Sequence, residues 1–222
     1  MPRRTFDNEL HALHNEFIEM GEMIEKAISQ SIEAFNKGNE EMAREVSKND
    51  YSVNKLEQEI QSKALNLLLR QQPVARDLRK ISTALKVAGD MERIGDQGAD
   101  IADIVLRFAK EHQPMQSIRI EDMAKTAIEM VRACVSAFTC DDVELANKVI
   151  EEDDKMDGLF DEVKSEIVKA LKMAENNGDV IDSCVDLLMI AKHFEKIGDH
   201  AVNIAVWTKF CETGVLNDVR LL

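Results

Sequence analysis

The sequence predicts an all-α fold of two tandem, pseudo-symmetric three-helix bundles, six long helices in all. Three observations carry that prediction. Apolar residues recur with a 3.6-residue period over long stretches, and no alternating strand pattern lies between them. The composition, 45% hydrophobic and 32% charged with three prolines and one Trp in 222 residues, is that of a soluble helical protein. The chain also matches itself when slid by 103 positions, the mark of a repeated structural unit.

The first helix is expected from about Phe6 to Asn36. It stops at Lys37-Gly38, where glycine suits a left-handed turn and Asn39 can cap the next start. The second runs from about Glu40 to Gln71 and ends at Gln72-Pro73, because proline disfavours helix in its predecessor and is accepted at a first helical position. The third continues to about Lys110. A connector holding His112 and Pro114 follows, then helices at about Ile118–Thr139, Val143–Asn176 and Val180–Thr213. Asn177-Gly178 separates the last two, with Asp179 positioned to cap the sixth. The domains predicted are residues 1–113 and 114–222.

At the 103-residue offset ERIGDQGADIA (Glu92 to Ala102) falls on EKIGDHAVNIA (Glu195 to Ala205), and without a gap Asp50 falls on Asp153 and Asn54 on Asp157. These acids matter because of where they point. With 42 Asp and Glu in the chain, roughly eight acid pairs at i,i+4 arise from composition alone, so spacing by itself means little. At 100° per residue, however, Glu92 and Asp96 interrupt the apolar stripe Ile81, Leu85, Ala88, Ala99, Leu106, and Glu195 and Asp199 interrupt Cys184, Leu188, Ala191, Val202, Val206. Asp50 and Glu57 sit in the stripe Ala43, Val46, Val53, Ala64, Leu68, with Asn54 at its edge. Asp153 sits among Ala146, Val149, Ile167 and Leu171, with Asp157 beside it.

Carboxylates on a face turned toward a neighbouring helix need protonation, cationic partners or a metal ion to offset their desolvation and repulsion. Arg93 and Lys196 follow the acids directly and turn about 100° away, so they are expected to be poor partners. An all-oxygen donor set suits Mg, Mn, Ca or iron rather than zinc. The competing reading is a polar network or half-solvated acidic face with no ion. Gly95 and Gly198 would admit either a close helix or a multinuclear ion. A second stripe, Val87, Met91, Ile94, Ile101 and Val105, recurs as Ile190, Phe194, Ile197 and Ile204 and is assigned to the bundle core.

Other function classes are disfavoured. A net charge of −14 repels nucleic acid and anionic membrane. No apolar run reaches the roughly 20 residues of a membrane span, and MPRRTFDNEL lacks the apolar centre of a signal peptide. Cys134, Cys140, Cys184 and Cys211 form no metal or redox spacing and are expected as reduced thiols filling core gaps. None of the five histidines follows a Glu by three residues, which argues against a carboxylate-bridged di-metal enzyme. No phosphate loop, HExxH or nucleophile elbow occurs, so the chain is not expected to be an enzyme. His193 and His200 lie more than 90° from the acid stripe and are not expected to be ligands.

The duplicated D/NxxxD/N and ExxxD motifs, with QQPVARDLR (Gln71 to Arg79), ERIGDQGADIA and EKIGDHAVNIA, resemble the PhoU family of phosphate-uptake regulators across essentially the whole chain. The resemblance implies a cytoplasmic protein, peripheral at the inner membrane face through its partners, that acts by protein contacts. It links a phosphate ABC transporter ATPase to a sensor histidine kinase and restrains the phosphate regulon; a homodimer is expected. It implies divalent or trivalent, multinuclear metal sites of iron, Mn or Mg. Carried onto this sequence, the first takes Asp50, Glu92 and Asp96 with Asp100 and Asn54; the second takes Asp153, Asp157, Glu195 and Asp199 with Asn203. Arg70, Arg76, Arg79 and Lys80 have no basic counterpart in the second half. They read either as local ion pairs or, at Arg76 and Arg79, as a contact surface for a signalling partner. A metal-free helical adaptor is the main rival function.

Overall fold

The computed structural model describes residues 2–71, 73, 76–111, 118–174, 177–216 and 219–220. Among the described residues six helices form: α1 (Pro2–Lys37), α2 (Glu40–Gln71), α3 (Arg76–Glu111), α4 (Ile118–Thr139), α5 (Val143–Met173) and α6 (Gly178–Thr213). The predicted connector with His112 and Pro114 lies outside the described residues. Local chemistry explains the breaks. Gly38 takes the left-handed conformation (φ 61°), and the Asn39 side chain accepts from the Met42 N–H at 3.1 Å. At the equivalent place in the second half Asp141 is left-handed (φ 55°), a conformation Asp tolerates better than most residues, and Asp142 caps α5 by accepting from the Leu145 N–H at 2.9 Å.

Several boundaries differ from those the sequence predicts. α3 begins at Arg76, so Pro73 precedes the helix and is not its first residue. α5 ends at Met173, where the Ala174 N–H turns back to the Leu171 carbonyl. Asp179 lies inside the first turn of α6, because Asn177 occupies the cap position, without a side-chain capping bond. An unexpected two-residue antiparallel hairpin, β1 (Val215–Leu216) with β2 (Val219–Arg220), follows the left-handed Gly214.

Helices α1, α2 and α3 pack mutually as one bundle and α4, α5 and α6 as another; α3 lies along α6 and α1 against α4. Both bundles share a single contiguous core. The second stripe is wholly buried, from Val87 and Ile94 on α3 to Phe194 and Ile197 on α6. The stripe interrupted by acids is less enclosed: Ile81, Ala88, Cys184 and Ala191 are buried, but Leu85, Ala99, Leu106, Leu188, Val202 and Val206 are half-buried. Leu171, expected inside, is exposed near the end of α5. Cys134, Cys184 and Cys211 fill the core as free thiols, whereas Cys140 is exposed on the α4–α5 turn.

Side chains of the facing helix press against Gly95 and Gly198. A Cβ on Gly95 would stand 2.9 Å from Val53 Cγ1, closer than atoms tolerate, whereas one on Gly89 would meet nothing within 4 Å. Gly95→Ala is therefore expected to destabilise by about 1–3 kcal/mol through overpacking. Gly89→Ala should stabilise by about 0.5–1 kcal/mol through helix propensity. Denaturant titration of the two variants reads both signs.

Candidate metal centre

The glycines bring an aspartate of one helix against the backbone of the next. Gly95 places its Cβ position 3.8 Å from Asp50 Oδ1, and Gly198 places its own 3.2 Å from Asp153 Oδ1. Residues 50 and 153, like 95 and 198, are equivalent under the 103-residue repeat, so each half builds the same groove between its second and third helices. Asp50, Asn54, Glu92, Asp96, Asp153, Glu195 and Asp199 are half-buried along these two grooves; Asp100, Asp157 and Asn203 are exposed.

Half-burial raises the pKa of Asp50, Glu57, Glu92, Asp96 and Asp153. Asp50 is pushed up first by desolvation and then by Asp96, and Glu92 likewise by desolvation and then by Asp96. Asp96 is raised by desolvation against the opposing pull of Arg93, and Glu57, missed as a ligand candidate, is raised by desolvation. Asp153 goes furthest, to about 6, from desolvation followed by the charges of Asp157, Asp199 and Glu195. One difference between the halves lies at residue 54 and its counterpart 157. Asn54 Nδ2 donates to Asp50 Oδ2 at 2.9 Å and steadies that carboxylate, whereas Asp157 in the same place repels Asp153.

Three groove atoms, Asp50 Oδ1 and Asn54 Oδ1 in the first half and Glu195 Oε2 in the second, are buried without a hydrogen-bond partner, and a group that satisfied them would have to supply a donor or a positive charge. Oxygen donors of this kind fit a hard cation. The side chains do not converge as a finished cage. Among the described residues, the three-residue set of His, Cys, Asp or Glu with ligand atoms within 4.8 Å of one another is Asp141, Cys211 and Glu212, away from both grooves.

The expectation that the neighbouring cations turn away is corrected. Lys196 bonds Asp199 and lies 3.5 Å from Glu195, while Lys192 Nζ sits 2.6 Å from Glu195 Oε2 without the direction of a good hydrogen bond. Arg93 stands 3.7 Å from Glu92 and 3.9 Å from Asp96. Angular position at Cα misled because long side chains reach back to acids one or three residues along.

Asp100 and Asn203 face the seam between the bundles. His200 Nδ1 lies 2.9 Å from Asp90 Oδ1, and Asn203 Nδ2 donates to the same oxygen at 3.3 Å. His193 Nδ1 lies 2.8 Å from Gln97 Oε1 and 3.8 Å from Asp100. Positions 90, 97 and 100 correspond to 193, 200 and 203, so the two triads are one contact pattern repeated about the intramolecular pseudo-twofold axis. Identity matching overlooked Asp90 because its counterpart is His193; polarity at both positions was the available signal.

The basic start of α3 is tied down within the chain, at long range. Arg76 Nη2 donates to both Glu212 oxygens at 3.0 Å, Arg79 Nε donates to the Cys211 carbonyl at 3.0 Å, and Lys80 donates to Asp141 at 2.8 Å. Neither local pairing nor a free docking surface describes Arg79, which clasps the far end of α6.

The Asp153 shift has a measurable sign. Its carboxyl holds a proton to about pH 6 in the fold but only to about 3.8 in an ordinary setting. The unfolded chain therefore loses that proton first, and its ionisation lowers stability between those values. In chelator-treated protein, Asp153→Asn should be close to neutral below pH 4 and stabilising above pH 6. A difference that stays flat with pH in thermal melts would rule out this ionisation cost.

The PhoU domain family matches the chain twice, at residues 17–105 and 120–208. The chain is 33% identical over 221 residues to the phosphate-specific transport system accessory protein PhoU homolog of Clostridium acetobutylicum, covering 99% of this chain and 100% of the relative. It is 31% identical to that of Rhizobium meliloti, covering 95% and 88%. Among solved structures, PhoU from Pseudomonas aeruginosa superposes with a TM-score of 0.88 at 27% identity, covering 95% of this chain and 100% of that one. The phosphate transport system regulatory protein PhoU from Streptococcus pneumoniae gives 0.86 at 26%, covering 96% and 100%. With the duplicated bundle and its paired acid grooves, these matches make the chain a member of the PhoU family.

Proposed function

We propose that this chain is a cytoplasmic, metal-binding regulator of phosphate homeostasis that restrains phosphate uptake and phosphate-regulon signalling. It acts through protein contacts, not catalysis, between a phosphate ABC transporter and a sensor histidine kinase, as a homodimer. Its relatives' designation as phosphate-specific transport accessory proteins supports the transport link. Among the described residues no helix is long and apolar enough to cross a membrane, in keeping with a role exercised through membrane-bound partners.

The observation that carries the metal reading is the repeated groove: half-buried, mutually repelling acids, of which Asp50, Glu92, Asp96 and Asp153 have raised pKa values, beside unpartnered oxygens of Asp50, Asn54 and Glu195. Asp50, Glu92 and Asp96, with Asn54 and Asp100, would hold one ion set. Asp153, Asp157, Glu195 and Asp199 would hold the other, with Asn203 the remaining candidate. An iron, Mn or Mg ion would supply there the positive charge that the grooves lack. The metal-free adaptor is favoured by a different observation, the pairing of Lys192 and Lys196 with the second set, which already offsets part of its charge.

Metal analysis of protein purified without chelator separates the two. The wild type should carry stoichiometric metal, and a Glu92→Ala, Asp96→Ala, Glu195→Ala, Asp199→Ala variant should lose most of it; near-zero metal in both would leave the adaptor. For the regulatory role, deleting the gene should derepress phosphate-starvation genes in phosphate-rich medium, measured by transcript levels. An unchanged response would remove that role.

A further inference from the structure

Exposed apolar side chains gather on one hairpin. Among the described residues eleven large hydrophobic side chains are exposed, and six of them, Val168, Leu171, Met173, Ile181, Val185 and Met189, belong to α5 and α6 on either side of the turn that joins them. Ile181, Val185 and Met189 follow one another at four-residue spacing and line one side of α6, while Val168 and Leu171 lie three apart on α5. The first half serves as an internal control. The 103-residue repeat puts Arg70, Ser82 and Lys86 where Met173, Val185 and Met189 stand, so the fold itself does not call for apolar residues there. An apolar cluster left open to water marks a contact surface.

The two edges of this face carry opposite charges. One residue beyond Val168 and Leu171 come Lys169 and Lys172, and one beyond Ile181 and Val185 come Asp182 and Asp186, each about 100° further round its helix. Asp179 shares the aspartate stripe. Lys169, Lys172, Asp179 and Asp182 are exposed, and Asp186 is half-buried with Arg107 at 3.9 Å. The first half again differs, with Asn66 and Leu69 in place of the lysines and Arg76, Arg79 and Thr83 in place of the aspartates. Because α5 and α6 pack together across a short turn they run antiparallel, and level matters. Lys172 and Asp179 are equally far from the middle of the turn, as are Lys169 and Asp182.

We propose that this face binds a second copy of the chain, in an isologous dimer whose twofold axis runs along the α5–α6 hairpin. Such an axis lays α5 of each copy over α6 of the other. Apolar middle then meets apolar middle, and each lysine edge meets an aspartate edge at the same level. Charge selects the occupant: a face with one basic and one acidic edge is its own complement, whereas a partner of uniform charge meets repulsion along one edge. The proposal rests on the homodimer stated above and says which face makes it. None of the candidate metal ligands belongs to this face.

Sedimentation equilibrium of the full-length protein over a concentration series tests it. The wild type should reach a dimer and stop there. Val185→Ser with Met189→Lys, the residues of the first half, should raise the dimer Kd roughly tenfold or more, while circular dichroism and melting temperature stay near wild type. Lys169→Asp with Lys172→Asp should also weaken the dimer, as should Asp179→Lys with Asp182→Lys. All four changes in one chain should bring the Kd back to within about threefold of wild type, since each edge again meets its opposite. A dimer untouched by Val185→Ser with Met189→Lys, or a fourfold swap no tighter than either pair alone, overturns this face and leaves the homodimer standing. A monomeric wild type overturns both, and species that grow beyond the dimer with concentration overturn the closed twofold arrangement.

Discussion

Two helices can approach only as closely as the side chains between them permit, and the grooves of this protein depend on that limit being lifted at Gly95 and Gly198. The closeness brings the backbone of α3 and α6 against Asp50 and Asp153 and takes those carboxylates partly out of water. The remaining groove chemistry follows. Desolvation comes first in each raised carboxyl pKa, and for Asp50, Glu92, Asp96 and Asp153 acids one helical turn along or on the facing helix add to it. Lys192 and Lys196 pair with the second set, where the repulsion is greatest, while the first set relies on Asn54 and on a more distant Arg93.

Duplication supplied one design, and divergence at a few positions made the halves unlike. Asn54 donates to Asp50, whereas Asp157 in the same place repels Asp153. Met130 and Met156 pack against Gly198, and the smaller Ala27 and Val53 stand at their places in the first half. Asp90 and His193, equivalent in sequence, meet different partners in the seam, yet the geometry of the contacts is conserved. Symmetry is therefore kept by the backbone and the core stripes, while the polar chemistry is distributed unequally between the halves.

Much of the fold was legible in the sequence because helices announce themselves by period and by caps. Gly38 with Asn39, and the run ending at Gln71, sit where the chain must change direction. The short β hairpin beyond Gly214 was not legible, since two residues per strand leave no alternation to read. The facing of Glu92, Asp96, Glu195 and Asp199 could be read from angular arithmetic. What arithmetic on Cα positions could not give was side-chain reach, and it placed Lys196 away from acids that it touches. Nor could one helix at a time show that Arg79 meets α6 or that Asn203 meets Asp90, because those contacts join helices far apart in the chain.

The clasp at the start of α3 bears on the order in which the protein is made. Arg76 and its partner Glu212 are separated by 136 residues, and Arg79 and the Cys211 carbonyl by 132. The amino-terminal half can bury its own core as it leaves the ribosome, since domains form as units during synthesis. Its cationic edge, however, stays without these anchors until the last turn of α6 has been translated. The last turn of α6 thus acts as a latch that closes on the start of α3 only after all six helices have been made.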